Sequence, residues 1–147
     1  MIKKLITILA LTTSTAYATP LTAQAWIVAD NNGRIFEASN MSEIRSIASI
    51  TKLMTAMVVL DSGQSLTEII PKKLYNKQLT RETLIDLAIV KSDNTAAKML
   101  CDYYPGGYDN CISAMNNKAK SLQMINSSFT DPTGLLATNV STAQGVW

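Results

Sequence analysis

Two short runs of apolar and β-branched residues, Ala25 to Ala29 and Arg34 to Ala38, are separated by Asp30-Asn31-Asn32-Gly33. An Asn-Gly pair between two such runs predicts a β-hairpin, because tight antiparallel turns need positive φ. From Ser49 the period becomes helical. Ile50, Leu53, Met54, Met57, Val58 and Leu60 spread apolar character over a broad surface, which predicts a buried helix and not a surface one. A second helix is expected from Thr80 as N-cap, with Leu84, Leu87 and Ala88 on one face and an end before Ser92. Asn94 opens a third through Leu100. A fourth runs from about Tyr108 to Ser121, where Ile112, Met115, Ala119 and Leu122 keep helical register. The segment Ser62 to Asn76 is polar and poorly periodic apart from Ile69-Ile70-Pro71, and reads as loop. No internal repeat, linker or low-complexity tract interrupts the pattern. The expectation is one α+β domain, mostly helical with one β-hairpin. A lone two-stranded hairpin is marginal unless something covers it, and its outer edge would be open to pairing with a partner chain.

The first residues change the picture of where this domain works. Lys3 and Lys4, an apolar run from Leu5 to Leu11 and Ala16-Tyr17-Ala18 have the order of a signal peptide with its cleavage site. Ala23-Gln24-Ala25 is a weaker second cleavage candidate. The apolar run is well short of the roughly 20 residues that span a bilayer. Residues 1–18 are therefore expected to be a signal peptide and 19–147 the domain, exported to the periplasm or cell envelope with no stable membrane span after cleavage. The formal net charge is +2, and removing Lys3 and Lys4 brings it to zero. That balance offers nothing to a nucleic acid or an acidic polymer. Export also bears on Cys101 and Cys111, the only two cysteines. They bracket Pro105, Gly106 and Gly107, and an oxidising compartment makes them a disulfide candidate. The alternative, a reactive thiol, has no histidine to activate it.

The chain has no histidine at all. Ser-His-Asp and Cys-His mechanisms are excluded, as is a His-bearing zinc site, and two cysteines cannot fill a tetrahedral thiolate site. No metal or organic cofactor is expected. What remains for nucleophilic catalysis is a hydroxyl activated by a lysine whose pKa is lowered by burial. Ser49-Ile50-Thr51-Lys52 fits, with the serine where a buried helix starts and the lysine one turn on along the same face. A plainer reading is open too: Ser49 as an N-cap, with Lys52 snorkelling to solvent. Ser92-Asp93-Asn94 likewise reads either as the loop and N-cap between two helices or as a hydroxyl and an amide serving a site.

Longer stretches carry a resemblance. Arg45 to Leu60 (RSIASITKLMTAMVVL), Leu87 to Ala97 (LAIVKSDNTAA), Tyr103 to Lys120 (YYPGGYDNCISAMNNKAK), FTDPTGL from Phe129 and NVSTA from Asn139 resemble, in order, the low-molecular-mass penicillin-binding proteins. These are exported D-alanyl-D-alanine carboxypeptidases and endopeptidases of peptidoglycan, and the endopeptidase branch fits best. The resemblance implies the N-terminal part of a β-lactamase/transpeptidase-like fold. It implies Ser49 as the nucleophile, Lys52 as its base, Ser92 as a proton relay to the leaving amine, and Asn94 as a substrate hydrogen-bonder that also helps to orient Lys52. It implies a peptidoglycan peptide or a β-lactam as ligand. Asp131-Pro132-Thr133-Gly134 looks like a structural turn near the floor of the site, without chemistry of its own.

The third motif of the family, a Lys-Thr-Gly strand, is not among the 147 residues, since Thr133-Gly134 follows a proline. The chain thus looks like the N-terminal portion of a larger protein, without the C-terminal sheet strands, and by itself nearly inactive. A serine β-lactamase shares the motifs but needs a deacylating glutamate after Asn94, and the last glutamate is Glu82. From another class, the chain could be a non-catalytic exported module that binds peptidoglycan or a partner through its hairpin edge.

Overall fold

The computed structural model describes residues 22–147. The signal peptide expected over residues 1–18 lies outside the described residues. Strands β1 (Trp26–Ala29) and β2 (Ile35–Ser39) form an antiparallel hairpin with Trp26 opposite Ser39 and Val28 opposite Glu37. Its turn uses Gly33 at φ +88°, and the Asp30 carboxylate accepts the Asn32 and Arg34 amides at 3.0 and 2.9 Å. A two-residue strand β3 (Arg45–Ser46) and a 3-10 turn (Ala48–Ile50) lead into helix α1 (Thr51–Asp61).

A second antiparallel hairpin follows, β4 (Ile69–Leu74) and β5 (Lys77–Thr80), and runs directly into α2 (Arg81–Val90). The reading of residues 62–76 as loop, and of a single hairpin in the fold, is corrected here. Pro71 interrupts the strand pattern, and the two-residue turn Tyr75-Asn76 carries no glycine, so neither usual hairpin signal is present. What anchors the strand is two buried side chains, Ile70 and Leu74, four residues apart, with Pro71, Lys72 and Lys73 between them exposed. The polar approach to it is held by the fully buried Arg81, whose guanidinium donates to the Glu68 carboxylate and to the carbonyls of Ser65 and Tyr103.

Helices α3 (Asn94–Asp102) and α4 (Tyr108–Ser121) complete the helical layer. Strand β6 (Val140–Ser141) then returns to pair antiparallel with β3, and a short α5 (Ala143–Val146) follows. Side-chain caps fix the helix starts. Thr80 accepts from the Thr83 amide at the head of α2, and Asp93 accepts from the Ala96 amide at 2.8 Å at the head of α3.

Helix α1 lies between two apolar clusters and packs against α2, α3 and α4. On one side Val59 joins Ile70, Leu84, Met99 and Leu100; on the other, Met54 and Val58 join Met115, Phe129 and the two cysteines. Each such side chain, fully buried, stabilises the fold by about 1.5–3 kcal/mol. The expectation of a wholly buried α1 is only half met: Ile50, Leu53, Met57 and Leu60 lie along an exposed stripe. An all-round apolar pattern does not tell which side receives neighbours, and in the described residues the neighbours sit on the Met54, Val58 and Val59 side. In α4 the fully buried row is Cys111, Met115 and Ala119, while Leu122 is exposed.

Cys101 and Cys111 are bridged, with Cα atoms 5.3 Å apart, and the bond ties the end of α3 to the first turn of α4 across the Pro105-Gly106-Gly107 reversal. Replacing both by alanine should cost about 3 kcal/mol of stability, the amount expected for a closed loop of this length. Chemical denaturation of the oxidised wild type against the double variant measures this, and coincident midpoints would contradict it.

Candidate active site

The first turns of α1 and the turn beginning at Asp131 meet face to face. Lys52 is 2% exposed, and its Nζ makes two hydrogen bonds, to Ser49 Oγ at 3.0 Å and to the Thr133 carbonyl at 2.8 Å. None of the ion pairs among the described residues involves Lys52. Burial therefore lowers its pKa below the ordinary 10.5, and the charges of Asp131 and Asp93 only partly pull it back. The arrangement suits a neutral amine: one N–H on the Thr133 carbonyl, and the lone pair free to accept the Ser49 O–H. Ser49 itself is exposed, one residue after Ala48, which holds a left-handed φ of +44°. Neither the 3-10 turn nor α1 has a side-chain cap, so the plainer reading of Ser49 as an N-cap does not hold. Lys52 is buried and does not snorkel.

The turn that supplies the Thr133 carbonyl is built around two buried side chains. Asp131 Oδ1 accepts the Thr133 amide at 2.6 Å, the Thr133 hydroxyl at 2.5 Å and the Gly134 amide at 2.9 Å, and Oδ2 accepts the Leu136 amide at 3.0 Å. Burial alone would raise the pKa of this carboxyl. The hydrogen bonds from Thr133, Leu136 and Gly134 outweigh it and hold the group below the ordinary 3.8. Asn139, fully buried, accepts the Thr130 and Asp131 amides and donates through Nδ2 to the Asp131 carbonyl and to Thr51 Oγ1 in α1. One turn along the helix, Thr55 Oγ1 donates to the Pro132 carbonyl at 2.8 Å. Gly134, at φ +80°, presses so closely on the helix start that a Cβ there would fall 1.8 Å from the Ala48 carbonyl oxygen.

Asp93 lies close enough for its charge and that of Lys52 to act on each other, which brings the Ser92-Asp93-Asn94 loop to the same site. Ser92 and Asn94 are exposed, make no side-chain hydrogen bond within the described residues, and Ser92 has φ +52°. Both remain open to a ligand. Asn94, expected to help to orient Lys52, makes no hydrogen bond to it among the described residues, and the Lys52 partners are Ser49 Oγ and the Thr133 carbonyl. Sequence reasoning assigned no chemistry to Asp131, Thr133 or Asn139. The Asp-Pro-Thr-Gly turn was visible, but a backbone carbonyl as the partner of a lysine leaves no mark in residue types.

A family model described as D-alanyl-D-alanine carboxypeptidase matches residues 12–73 and 69–146. The chain belongs to the D-alanyl-D-alanine carboxypeptidase family. Among curated relatives, the D-alanyl-D-alanine endopeptidase of Escherichia coli is 43% identical over an alignment covering 82% of this chain and 43% of that protein. Among solved structures, a D-alanyl-D-alanine carboxypeptidase of Mycobacterium tuberculosis is 27% identical with a TM-score of 0.75, covering 89% of this chain and 56% of the other. The ampicillin-bound penicillin-binding protein D2 of Listeria monocytogenes is 27% identical with a TM-score of 0.75, covering 88% of this chain and 60% of the other. The chain thus has an α+β fold of the penicillin-binding-protein type and spans under half the length of its E. coli relative. Among the described residues no helix is long and apolar enough to cross a membrane.

Two outcomes follow from the geometry of this family member. Gly134→Ala should destabilise the fold by more than about 2 kcal/mol, since it combines a left-handed φ with a backbone clash against Ala48. A thermal midpoint matching wild type would contradict the close approach. The second outcome is the pH dependence of stability. Because the folded-state pKa of Lys52 is lowered, the unfolded state binds more protons between that value and 10.5, so stability rises with pH through this window. The stability of wild type relative to Lys52→Met should therefore increase as pH climbs towards 10.5. A difference that is flat with pH would refute the lowered pKa.

Proposed function

We propose that this chain carries the acylating apparatus of a serine D-Ala-D-Ala peptidase, acting on peptidoglycan peptides in the cell envelope. The observation that carries the proposal is the buried Lys52 amine, in no ion pair among the described residues, on the Ser49 hydroxyl. Ser49 Oγ attacks the carbonyl of a D-Ala-D-Ala type bond while its proton passes to Lys52 Nζ. The C–N bond then breaks as the proton is delivered, through the Ser92 hydroxyl, to the leaving amine. An ester on Ser49 remains, and water releases the peptide and restores the serine. Asn94 hydrogen-bonds the substrate backbone. The Thr133 carbonyl fixes one N–H of Lys52 so that the amine meets Ser49. β-Lactams, cyclic amides, would acylate the same oxygen.

Because the chain spans only part of its relatives, acylation is tested on a fusion of residues 22–147 to the remaining portion of the E. coli endopeptidase, with a fluorescent penicillin as probe. Labelling should map to Ser49 and vanish in Ser49→Ala, while Lys52→Met should slow it by ~100- to 10,000-fold, the range for loss of a positioned base. The labelling rate should rise with pH and level off below 10.5. Labelling that survives Ser49→Ala, or its absence when the E. coli protein labels under the same conditions, would overturn the reading.

A second reading rests on one observation. Hairpin β1–β2 is a two-stranded sheet, and Val28, Ile35 and Phe36 on it are exposed, Phe36 by 60%. A module that only binds would use this sheet to take up a partner strand. Full occupancy of such a partner with no Ser49 acylation in the fusion would favour it.

A further inference from the structure

Tyr75 is the most exposed aromatic among the described residues. It is 68% exposed, so it contributes little to either apolar cluster. It occupies the turn of the β4–β5 hairpin, where Leu74 pairs with Lys77, and both turn residues have positive φ: +53° at Tyr75 and +62° at Asn76. Such two-residue turns favour asparagine, aspartate and glycine. A bulky aromatic in the left-handed region is strained, and persists where its surroundings hold it. What holds it is its own hydroxyl, which donates to Asp93 Oδ2. The other carboxylate oxygen accepts the Ala96 amide at 2.8 Å, so Asp93 is gripped from both sides.

We propose that Tyr75 is a positioning residue that fastens the Ser92-Asp93-Asn94 loop through Asp93, and so keeps Ser92 and Asn94 in place over Ser49 and Lys52. The proposal rests on the functional reading above. Asp93 is faced by Tyr75 from the β4–β5 turn, by Lys52 from α1 and by the amides at the start of its own helix; Lys52 is faced by Asp93 and Asp131. Burial alone would push the Asp93 carboxyl up, whereas the Tyr75 hydroxyl, the helix amides and the Lys52 charge bring it below 3.8. The loop has few other anchors: Ser92 and Asn94 make no side-chain hydrogen bond among the described residues, Ser92 has φ +52°, and besides its helix bonds the loop's backbone is held by the Asp93 amide on the Leu87 carbonyl at 3.0 Å. Removing the phenol hydroxyl frees one side of Asp93 while the cap on Ala96 remains.

Three variants test this: Tyr75→Phe, which deletes only the hydroxyl; Tyr75→Gly, which also relaxes the turn; and Asp93→Asn, which keeps an N-cap. Hydrogen exchange on the full chain reads the loop, and penicillin acylation of the fusion reads the chemistry. Tyr75→Phe should speed exchange of the Asp93 amide by ~10-fold, the loss of one hydrogen bond to a charged group, without change at β4 or α1. Acylation should fall by a similar ~10-fold with its acid limb moved to higher pH, and Tyr75→Phe combined with Asp93→Asn should be no slower than the slower single variant. Tyr75→Gly should match Tyr75→Phe at the loop although its turn is relaxed. Unchanged exchange at Asp93, wild-type acylation by Tyr75→Phe, or fully additive effects in the double variant would overturn the proposal. Faster exchange in a fusion whose Ser49 is never acylated would support the tether and defeat the catalytic reading alone.

Discussion

A lysine amine held out of water between a serine oxygen and a backbone carbonyl is the constraint on which the rest of this molecule depends. Taking an ammonium from water without an anionic partner is unfavourable by several kcal/mol, and proteins commonly respond by neutralising the group. Lys52 is in that position, with the Thr133 carbonyl and Ser49 Oγ as its hydrogen-bonding partners. The carbonyl can be there only if the Asp131 turn presses on the helix. That requires Gly134 against Ala48, Thr55 under Pro132, and Asn139 joining the turn to Thr51. Removing any one of these contacts loosens the others, because they share one short piece of backbone.

The two halves of the site differ in how they are held. Lys52 belongs to a helix wedged between two apolar clusters, and Ser49 to the 3-10 turn that leads directly into it, so their placement follows that of the core. Ser92 and Asn94 flank an N-cap aspartate in a short exposed loop, and their placement depends on polar contacts at Asp93. One wall of the candidate site is thus held by the apolar core and the other by polar contacts, and the second is the more yielding of the two.

Much of this was legible beforehand, and the gaps have physical reasons. Helix α4 begins and ends where its periodicity says, and the Thr80 cap of α2 is as expected, because α4 starts at the Gly107 reversal and a local side-chain to backbone bond fixes the start of α2. The Asn-Gly turn marks the first hairpin for the same reason. Hairpin β4–β5 was hidden because Pro71 lies within its first strand and its turn, Tyr75-Asn76, has no glycine and puts an aromatic at positive φ. The exposed stripe on α1 was hidden because composition says that a face is apolar and not whether anything lies against it. At the site, Ser49, Lys52, Ser92 and Asn94 could be singled out from their motifs together with the family resemblance, spacing alone leaving a capping reading open. The Thr133 carbonyl could not, since every residue has one.

The bonds that join α1 to the Asp131 turn connect residues 77, 81 and 88 positions apart. Contacts of such sequence separation form after local helices, because the chain between must first be gathered. Until then Lys52 is an ordinary solvated amine, protonated at neutral pH, and Ser49 an ordinary alcohol. The buried pairing of Lys52 with Ser49 and the Thr133 carbonyl is therefore a late product of folding, formed only when α1 and the Asp131 turn close on each other.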